Sequence, residues 1–356
     1  MDTKIIVIAC IHNEEGYIGR FLSTCSYFAD YIIIHDETAH DNTRSFYSKY
    51  PKVIAHCNDG PPMLINRRSF LIEEARKIKC DKRILVVLDA DEILSSEVFT
   101  SNEWQTVLHA SSGTLFYLQW VNLWRNPLKY KFFDQHYYGS FHARIWVDDG
   151  VSTIAVFGSG RGHSFHGQVL PAETAQKIIY LHEIVILHYQ FTNWDKMESK
   201  HRWYRCFEKA EIRKLSTLGI FRMYGYMDTG REPAVSDSPK SWFEGWKTKG
   251  IDVTSVSKSP VYFYDIEVLK LFKKYTPQFF TWQDVWRDRV DWNNIIKKAK
   301  GLGFMEKDFQ LEIPKRGMFP RIILKLGRIT GRSKKWLAIE RIFFGRSFEY
   351  RKNNGE

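Results

Sequence analysis

The chain lacks any run approaching the about 20 consecutive apolar residues that a helix needs to cross a bilayer. Its N-terminal stretch, Met1 to Cys10, is too short for a secretion signal and has no small-residue cleavage pattern. Cysteine is scarce: Cys10, Cys25, Cys57, Cys80 and Cys206, an odd number without the doublets of a zinc site or the spacing of a disulfide framework. Free thiols in the cytosol are therefore expected, and a disulfide-stapled secreted scaffold is excluded. Internal repeats and low-complexity tracts are absent, which excludes solenoids and linker-type chains. A broadly basic surface is missing as well. The net charge is +11, but the segment from Glu312 to Glu356 alone holds 12 Lys and Arg against 4 Glu, a net +8. The rest is nearly neutral, so no nucleic-acid partner is expected, and the charge belongs to a basic tail.

What is present suits a globular enzyme. The 356 residues, 44% hydrophobic and 26% charged, suffice for a large catalytic domain and an appendage. Aromatic residues make up 15%, with 12 Trp and 18 Tyr; such rings fill cores and also stack on sugars and bases.

The first ninety residues alternate between strand and helix patterns. Lys4 to Ala9 is short, continuous and β-branched, the mark of a strand covered on both faces. His12-Asn13-Glu14-Glu15 follows, with the acidic pair placed to complement the next helix dipole, and that helix should reach about Tyr27. Tyr31 to His35 is a second strand ending in the polar loop Asp36 to Thr43, and a helix is expected near Arg44 to Lys49. Val53 to His56 reads as a third strand, Arg67 to Lys79 as a helix, and Arg83 to Leu88 as a strand that runs into Asp89-Ala90-Asp91-Glu92. This alternation implies α/β architecture with a mainly parallel sheet and helices on both faces. Ligands of such sheets bind beyond the C-terminal strand ends, and Asn13-Glu14, Asp36 and Asp89-Ala90-Asp91 all fall there.

Further on, Leu115 to Leu123, His142 to Trp146 and Ile178 to Tyr189 read as strands, and Asp195 to Leu215 as an amphipathic helix. Residues 222–261 are loop-rich. Ile266 to Lys274 and Trp282 to Ala299 read as helices. The domain expectation is a catalytic domain over 1–215, with donor half 1–94 and acceptor half 95–215. A loop-rich and helical extension would fill 216–311, and the basic tail 312–356.

Asp89-Ala90-Asp91 carries the chemistry. Two carboxylates two positions apart at the end of a buried strand share one side of the chain. Hard divalent cations favour such oxygen ligands and bridge them to a diphosphate, whose charge must be neutralised as it leaves.

Over residues 4–94 the chain resembles family 2 glycosyltransferases of the GT-A (Rossmann-like) fold. The resemblance rests on the opening strand followed by Asn13-Glu14-Glu15, the loop Asp36-Glu37-Thr38-Ala39-His40-Asp41-Asn42-Thr43, the segment Asn66-Arg67-Arg68 and Asp89-Ala90-Asp91. Ala39 departs from the Ser usual in that loop. The resemblance implies a mixed sheet with a helical C-terminal extension, and an inverting transfer of sugar from a nucleotide-diphosphate donor with Mn2+ or Mg2+. Asn13, Glu14, Asp36 and Asp89 would bind the donor, with Asp36 on the nucleobase and Asp89 on the ribose or base side; Arg67, and Arg68 beside it, are candidates for the donor phosphates because guanidinium matches them bidentately. Asp91 would hold the metal. In some bacterial members a strand-end histidine adds a ligand, and Leu187-His188-Tyr189 matches that place.

Inversion needs a general base for the acceptor hydroxyl. Asp134, Glu173 and Glu183 are the leading candidates, with Asp148, Asp149, His163 and His166 also open. Some relatives carry a His-Glu pair in this region, and here Ser164 stands where that Glu would be. The tail interleaves Lys and Arg with Ile, Leu, Trp and Phe, so it is either a packed helix with a solvated basic face or a peripheral contact with an anionic membrane. The second option would suit a lipid-linked acceptor, and polysaccharide assembly, at the cytosolic membrane face. The enzymatic alternative is a nucleotidyltransferase of similar fold. Against it, the first strand leads to an acidic loop and not to a Gly-rich phosphate cradle. The non-enzymatic alternative is a sugar- or lipid-binding module.

Overall fold

The structure, a computed structural model, describes residues 2–37, 41–60, 67–131, 141–154, 170–212, 217–224, 234–286, 290–315 and 322. Among them are ten strands: β1 (Thr3–Ile11), β2 (Tyr31–Glu37), β3 (Val53–Asn58), β4 (Lys82–Val87), β5 (Glu92–Leu94), β6 (Thr114–Trp124), β7 (Asn126–Lys131), β8 (Phe141–Val147), β9 (Lys177–His188) and β10 (Val235–Asp237). The α-helices are α1 (Glu15–Phe28), α2 (Arg67–Arg76), α3 (Asn102–His109), α4 (Trp194–Phe207), α5 (Thr217–Tyr224), α6 (Ser241–Thr248), α7 (Phe263–Tyr275) and α8 (Trp292–Gly301). The chain divides into two compact units. One is built from Met1–Asn193 and Ala234–Ser257, the other from Trp194–Pro233 and Lys258–Glu356. The expected boundary after residue 215 thus falls before α4, and residues 234–257 return to the first unit.

The first unit holds the sheet, and it is α/β of mixed type with helices on both faces. Its order is β10-β7-β6-β8-β4-β1-β2-β3, with β9 beside β6 and β5 beside β9. The run β3-β2-β1-β4 is parallel. β8 enters antiparallel between β4 and β6, and β9 lies parallel to β6. Periodicity explains the two layers. Val7, Ala9 and Ile11 of β1 face Ile18, Phe21 and Leu22 of α1 in one core. Ile6 and Ile8 face Leu71, Ile72 and Ala75 of α2 in the other. Each fully buried Leu, Ile or Phe contributes roughly 1.5–3 kcal/mol, so these two layers dominate the stability of the parallel run.

That layering fixes the site edge. Parallel pairing in the registers Ile11 with Asp36 and Ile8 with Val87 brings the ends of β1, β2 and β4 to one border. β5 then reverses against β9 with Glu92 opposite His188. At the opposite border Asp148 takes Arg76 and Arg83, each at 2.9 Å. Asp149 caps the turn of Val151 and Ser152 at 3.0 and 2.8 Å.

The second unit is helical. Val268, Leu269 and Phe272 of α7 pack with Cys206, Phe280, Trp286 and Trp292, and Arg202 grips Asp265 through two bonds of 2.8 and 2.9 Å. The continuous helix expected from Trp282 to Ala299 is not formed. Residues 281–286 turn, and α8 starts at Trp292 behind Asp291, whose carboxylate accepts the Asn294 amide at 2.9 Å. The indoles of Trp286 and Trp292 donate to the carbonyls of Phe280 and Val285 at 2.8 and 3.1 Å, occupying acceptors that a continuing helix would use. Similarly, α4 stops at Phe207 and passes into a π-turn, Glu208–Ile212. No helix among the described residues is long and apolar enough to cross a membrane.

Candidate functional site

Asn13 turns the chain out of β1 with φ of 55°, a left-handed conformation that Asn tolerates better than most side chains. The turn is tied to its neighbours. The Asn13 amide lies 3.0 Å from His12 Nε2, His12 Nδ1 donates to the Glu37 carbonyl at 2.5 Å, and the Glu14 N–H donates to Thr43 Oγ1 at 2.8 Å. Asn13 is buried, and the Glu14 carbonyl starts α1 by accepting from Tyr17 and Ile18. Both residues therefore shape the border between β1 and β2.

Asp36, at the end of β2, has no exposed surface. Tyr47 donates its hydroxyl to Asp36 Oδ2 at 2.5 Å and Arg44 Nε stands 3.5 Å from the same oxygen. Burial, then the bond to Asp36, pushes the Tyr47 phenol far up, so it stays a donor. Asp36 Oδ1 is buried with no hydrogen-bond partner among the described residues, and a buried acceptor costs free energy until something donates to it.

Two adjacent arginines open α2 and diverge. Arg67 pairs with Glu37. Arg68 reaches Asp89 Oδ1 at 3.0 Å. Burial opposes the Arg68 charge, and Asp89 beside it more than restores it. Arg68 thus touches the Asp89-Ala90-Asp91 turn.

Glu92 is the unexpected centre. It is 1% exposed, yet it accepts four hydrogen bonds: two from Arg144 at 2.9 Å each, the Trp120 indole at 2.7 Å and the Asp89 N–H at 2.9 Å. Burial pushes its carboxyl up, and the Arg144 guanidinium pulls it back. This clamp pins the backbone that carries Asp89 and Asp91, and it fixes Trp120. The Trp120 ring in turn stacks on His188, with centroids 4.3 Å apart.

His188, at the end of β9, points Nε2 at Asp91 Oδ2 across 3.3 Å. Its Nδ1 meets Asn122 Oδ1 at 2.6 Å. An amide oxygen only accepts, so Nδ1 carries the proton and Nε2 is turned to Asp91. The structure therefore unites Asp89, Asp91 and His188, with Arg68, Glu92 and Asn122 behind them. Among the described residues no group of three His, Cys, Asp or Glu gathers as a metal site; the Asp91–His188 pair is what the fold presents.

The other candidates lie apart or beyond view. Glu173 is exposed in a short turn before β9. Glu183 is exposed, five residues before His188, where its carboxylate accepts the hydroxyl of Ser101, the cap of α3. Asp148 and Asp149 stand at the far border. Thr38, Ala39, His40, Asn66, Asp134, His163, His166 and residues 323–356 of the basic tail lie outside the described residues. Glu92, Arg144, Trp120 and Asn122 went unread in the sequence, where only the fourth acidic position of Asp89-Ala90-Asp91-Glu92 hinted at a role.

No protein-family model matches the chain, and no curated protein sequence matches it. Solved structures resemble parts of it. 4-Diphosphocytidyl-2C-methyl-D-erythritol synthase superimposes with a TM-score of 0.28 at 12% identity, over 41% of this chain and 76% of that one. HddC from Yersinia pseudotuberculosis gives 0.28 at 13% identity, over 53% of this chain and 93% of that one. Glucosyl-3-phosphoglycerate synthase from Mycobacterium tuberculosis, in complex with Mn2+, uridine diphosphate and phosphoglyceric acid, gives 0.24 at 19% identity over 33% of this chain. The chain spans 43% of that synthase. Such scores assign neither substrate nor reaction.

Proposed function

We propose that the protein is an inverting glycosyltransferase that moves a sugar from a nucleoside-diphosphate donor to a glycan or lipid-linked acceptor, with Mn2+ or Mg2+ at Asp91 and His188. The observation that carries this reading is the meeting of Asp89, Asp91 and His188 at the C-terminal border of the parallel strands. The donor set fits the metal. With the Nδ1 proton given to Asn122, Nε2 and the Asp91 carboxylate oxygen are two acceptors facing each other across 3.3 Å. One carboxylate and one imidazole suit Mn2+ well, and such ions keep positions for water and phosphate oxygens. When bound, the metal neutralises charge developing on the diphosphate leaving group.

The chain's own groups divide the remaining tasks. Arg68 is anchored by Asp89 before any ligand arrives, so its guanidinium needs little reorganisation to face a phosphate. Asp89, with a third of its side chain exposed, is left to accept a ribose hydroxyl. Asp36 Oδ1 is the acceptor suited to a nucleobase N–H. Arg67, held by Glu37, is the second cation at the same border.

The test is metal-dependent donor chemistry. Nucleotide-sugars of each common base are incubated with the protein, with Mn2+ and with EDTA, and release of nucleoside diphosphate is measured. One donor should be turned over only with the metal. Release unaffected by EDTA, or equal release from Asp91→Ala, would remove the proposal.

A further inference from the structure

We infer that Asn122 is a positioning residue that holds His188 in the tautomer able to bind the metal. This rests on the metal reading above. Free imidazole can carry its proton on either nitrogen, and which one is set by the hydrogen bond the other makes. Facing Asp91, a histidine without further constraint would place the proton on Nε2 and donate it to the carboxylate. That arrangement would use up both metal ligands on each other.

The structure prevents this. Asn122 lies on β6 directly opposite His188 on β9 in the parallel register. Its Oδ1 accepts from Nδ1 at 2.6 Å. Both residues are buried, Asn122 at 3% and His188 at 4% exposure, so water does not compete for the bond. The ring cannot rotate away, because Trp120 stacks on one face and is itself fixed by Glu92. Phe191 presents an edge at 6.4 Å. In the neutral ring the proton thus lies on the side away from Asp91, and the Nε2 lone pair faces it. Metal-binding histidines depend on such outer partners, whose loss weakens metal affinity by about 10–100-fold.

The experiment uses the full chain with 15N-labelled histidine. Imidazole nitrogen shifts of His188 in its neutral form, recorded without metal, should show a protonated Nδ1 and an unprotonated Nε2. In Asn122→Ala the proton should move to Nε2, and Mn2+ affinity should fall by about tenfold or more. Asn122→Asp keeps an acceptor of the same shape and should retain the wild-type tautomer. An Nε2-protonated His188 in the wild type overturns this role and leaves the metal proposal standing. A tautomer change in Asn122→Ala with unchanged Mn2+ affinity overturns it too. If the wild type shows the expected tautomer but binds no Mn2+ or Mg2+, the functional reading fails and takes this role with it. The wild-type spectrum decides the first point even where Asn122→Ala does not fold.

Discussion

Glu92 offers the sharpest test of how the site is built. Removing its carboxylate by Glu92→Ala leaves Arg144, with a side chain 7% exposed, buried without its bidentate partner. Breaking a buried ion pair from one side costs about 3–5 kcal/mol. The Trp120 indole and the Asp89 N–H lose their acceptor in the same step, each worth about 1–3 kcal/mol if nothing replaces it. Water entering the vacated space offsets part of this, so a loss of roughly 4–6 kcal/mol is expected, against a total stability of about 5–15 kcal/mol. Urea unfolding followed by near-ultraviolet circular dichroism measures it. The control is the double variant Glu92→Leu with Arg144→Met, which removes the charge along with its partner. Apolar replacement of a whole buried pair is often near neutral, so the double variant should be more stable than Glu92→Ala by about 2 kcal/mol or more. If Glu92→Ala lies within 1 kcal/mol of wild type (about the effect of one ordinary hydrogen bond), the clamp carries no energy and the reasoning is refuted. A double variant no better than the single one would equally show that the stranded charge does not set the cost.

Other outcomes follow from the same contacts. Asp89→Ala removes the carboxylate 3.0 Å from the mostly buried Arg68 and should cost about 2 kcal/mol, between a surface and a fully buried pair, whereas Asp91→Ala should abolish metal-dependent turnover with less than about 1 kcal/mol lost. Thermal unfolding beside turnover separates the two, and equal destabilisation would contradict the assignment. Asp252 should titrate at about pH 2, below the ordinary 3.8, because Ser255 and the Thr254 amide hold its ionised form. Its contribution to folding is present above the unfolded value and lost as pH falls through about 2. A carbon-detected carboxyl titration with a midpoint at 3.8 or above would refute it. Cys10, pushed up to about 11 by burial, is thiolate in only about one molecule per thousand at pH 8. Iodoacetamide should therefore mark exposed Cys57 first, and mass spectrometry showing Cys10 labelled at the same rate would refute this.

Much of the border at the ends of β1, β2 and β4 is legible in the sequence because it is local. A strand covered on both faces is a short β-branched run, and the residue after it sits at a sheet border whatever the neighbours are. Asn13, Asp36 and Asp89 therefore fell where the periodicity placed them. The partners of these residues are not local. Glu92 and Arg144 are 52 positions apart, and their meeting depends on β8 entering antiparallel beside β4, a register that periodicity does not encode. Asn122 and His188 meet only because β6 and β9 run parallel. Arg67 and Arg68 diverge because adjacent helix positions point about 100° apart, and sequence gives no reason to prefer one. The burial of Asp36 likewise comes from Tyr47, whose hydroxyl closes over it from the short 3-10 helix Asn42–Lys49.

The distribution of partners along this border carries its own argument. Glu37 takes Arg67, Asp89 takes Arg68 and Glu92 takes Arg144. Each of these carboxylates is neutralised by a guanidinium, the cation that keeps its charge under all ordinary conditions. Asp91 faces a histidine whose Nδ1 donates to Asn122 and whose Nε2 lies 3.3 Å from the carboxylate. On the proposed metal reading, Asp91 and His188 are the pair that takes a divalent cation. That reading predicts that His188→Arg, which replaces the imidazole ligand with a fixed cation, should abolish Mn2+ binding. Retained Mn2+ affinity in that variant would show that the ion, if it binds, is held elsewhere.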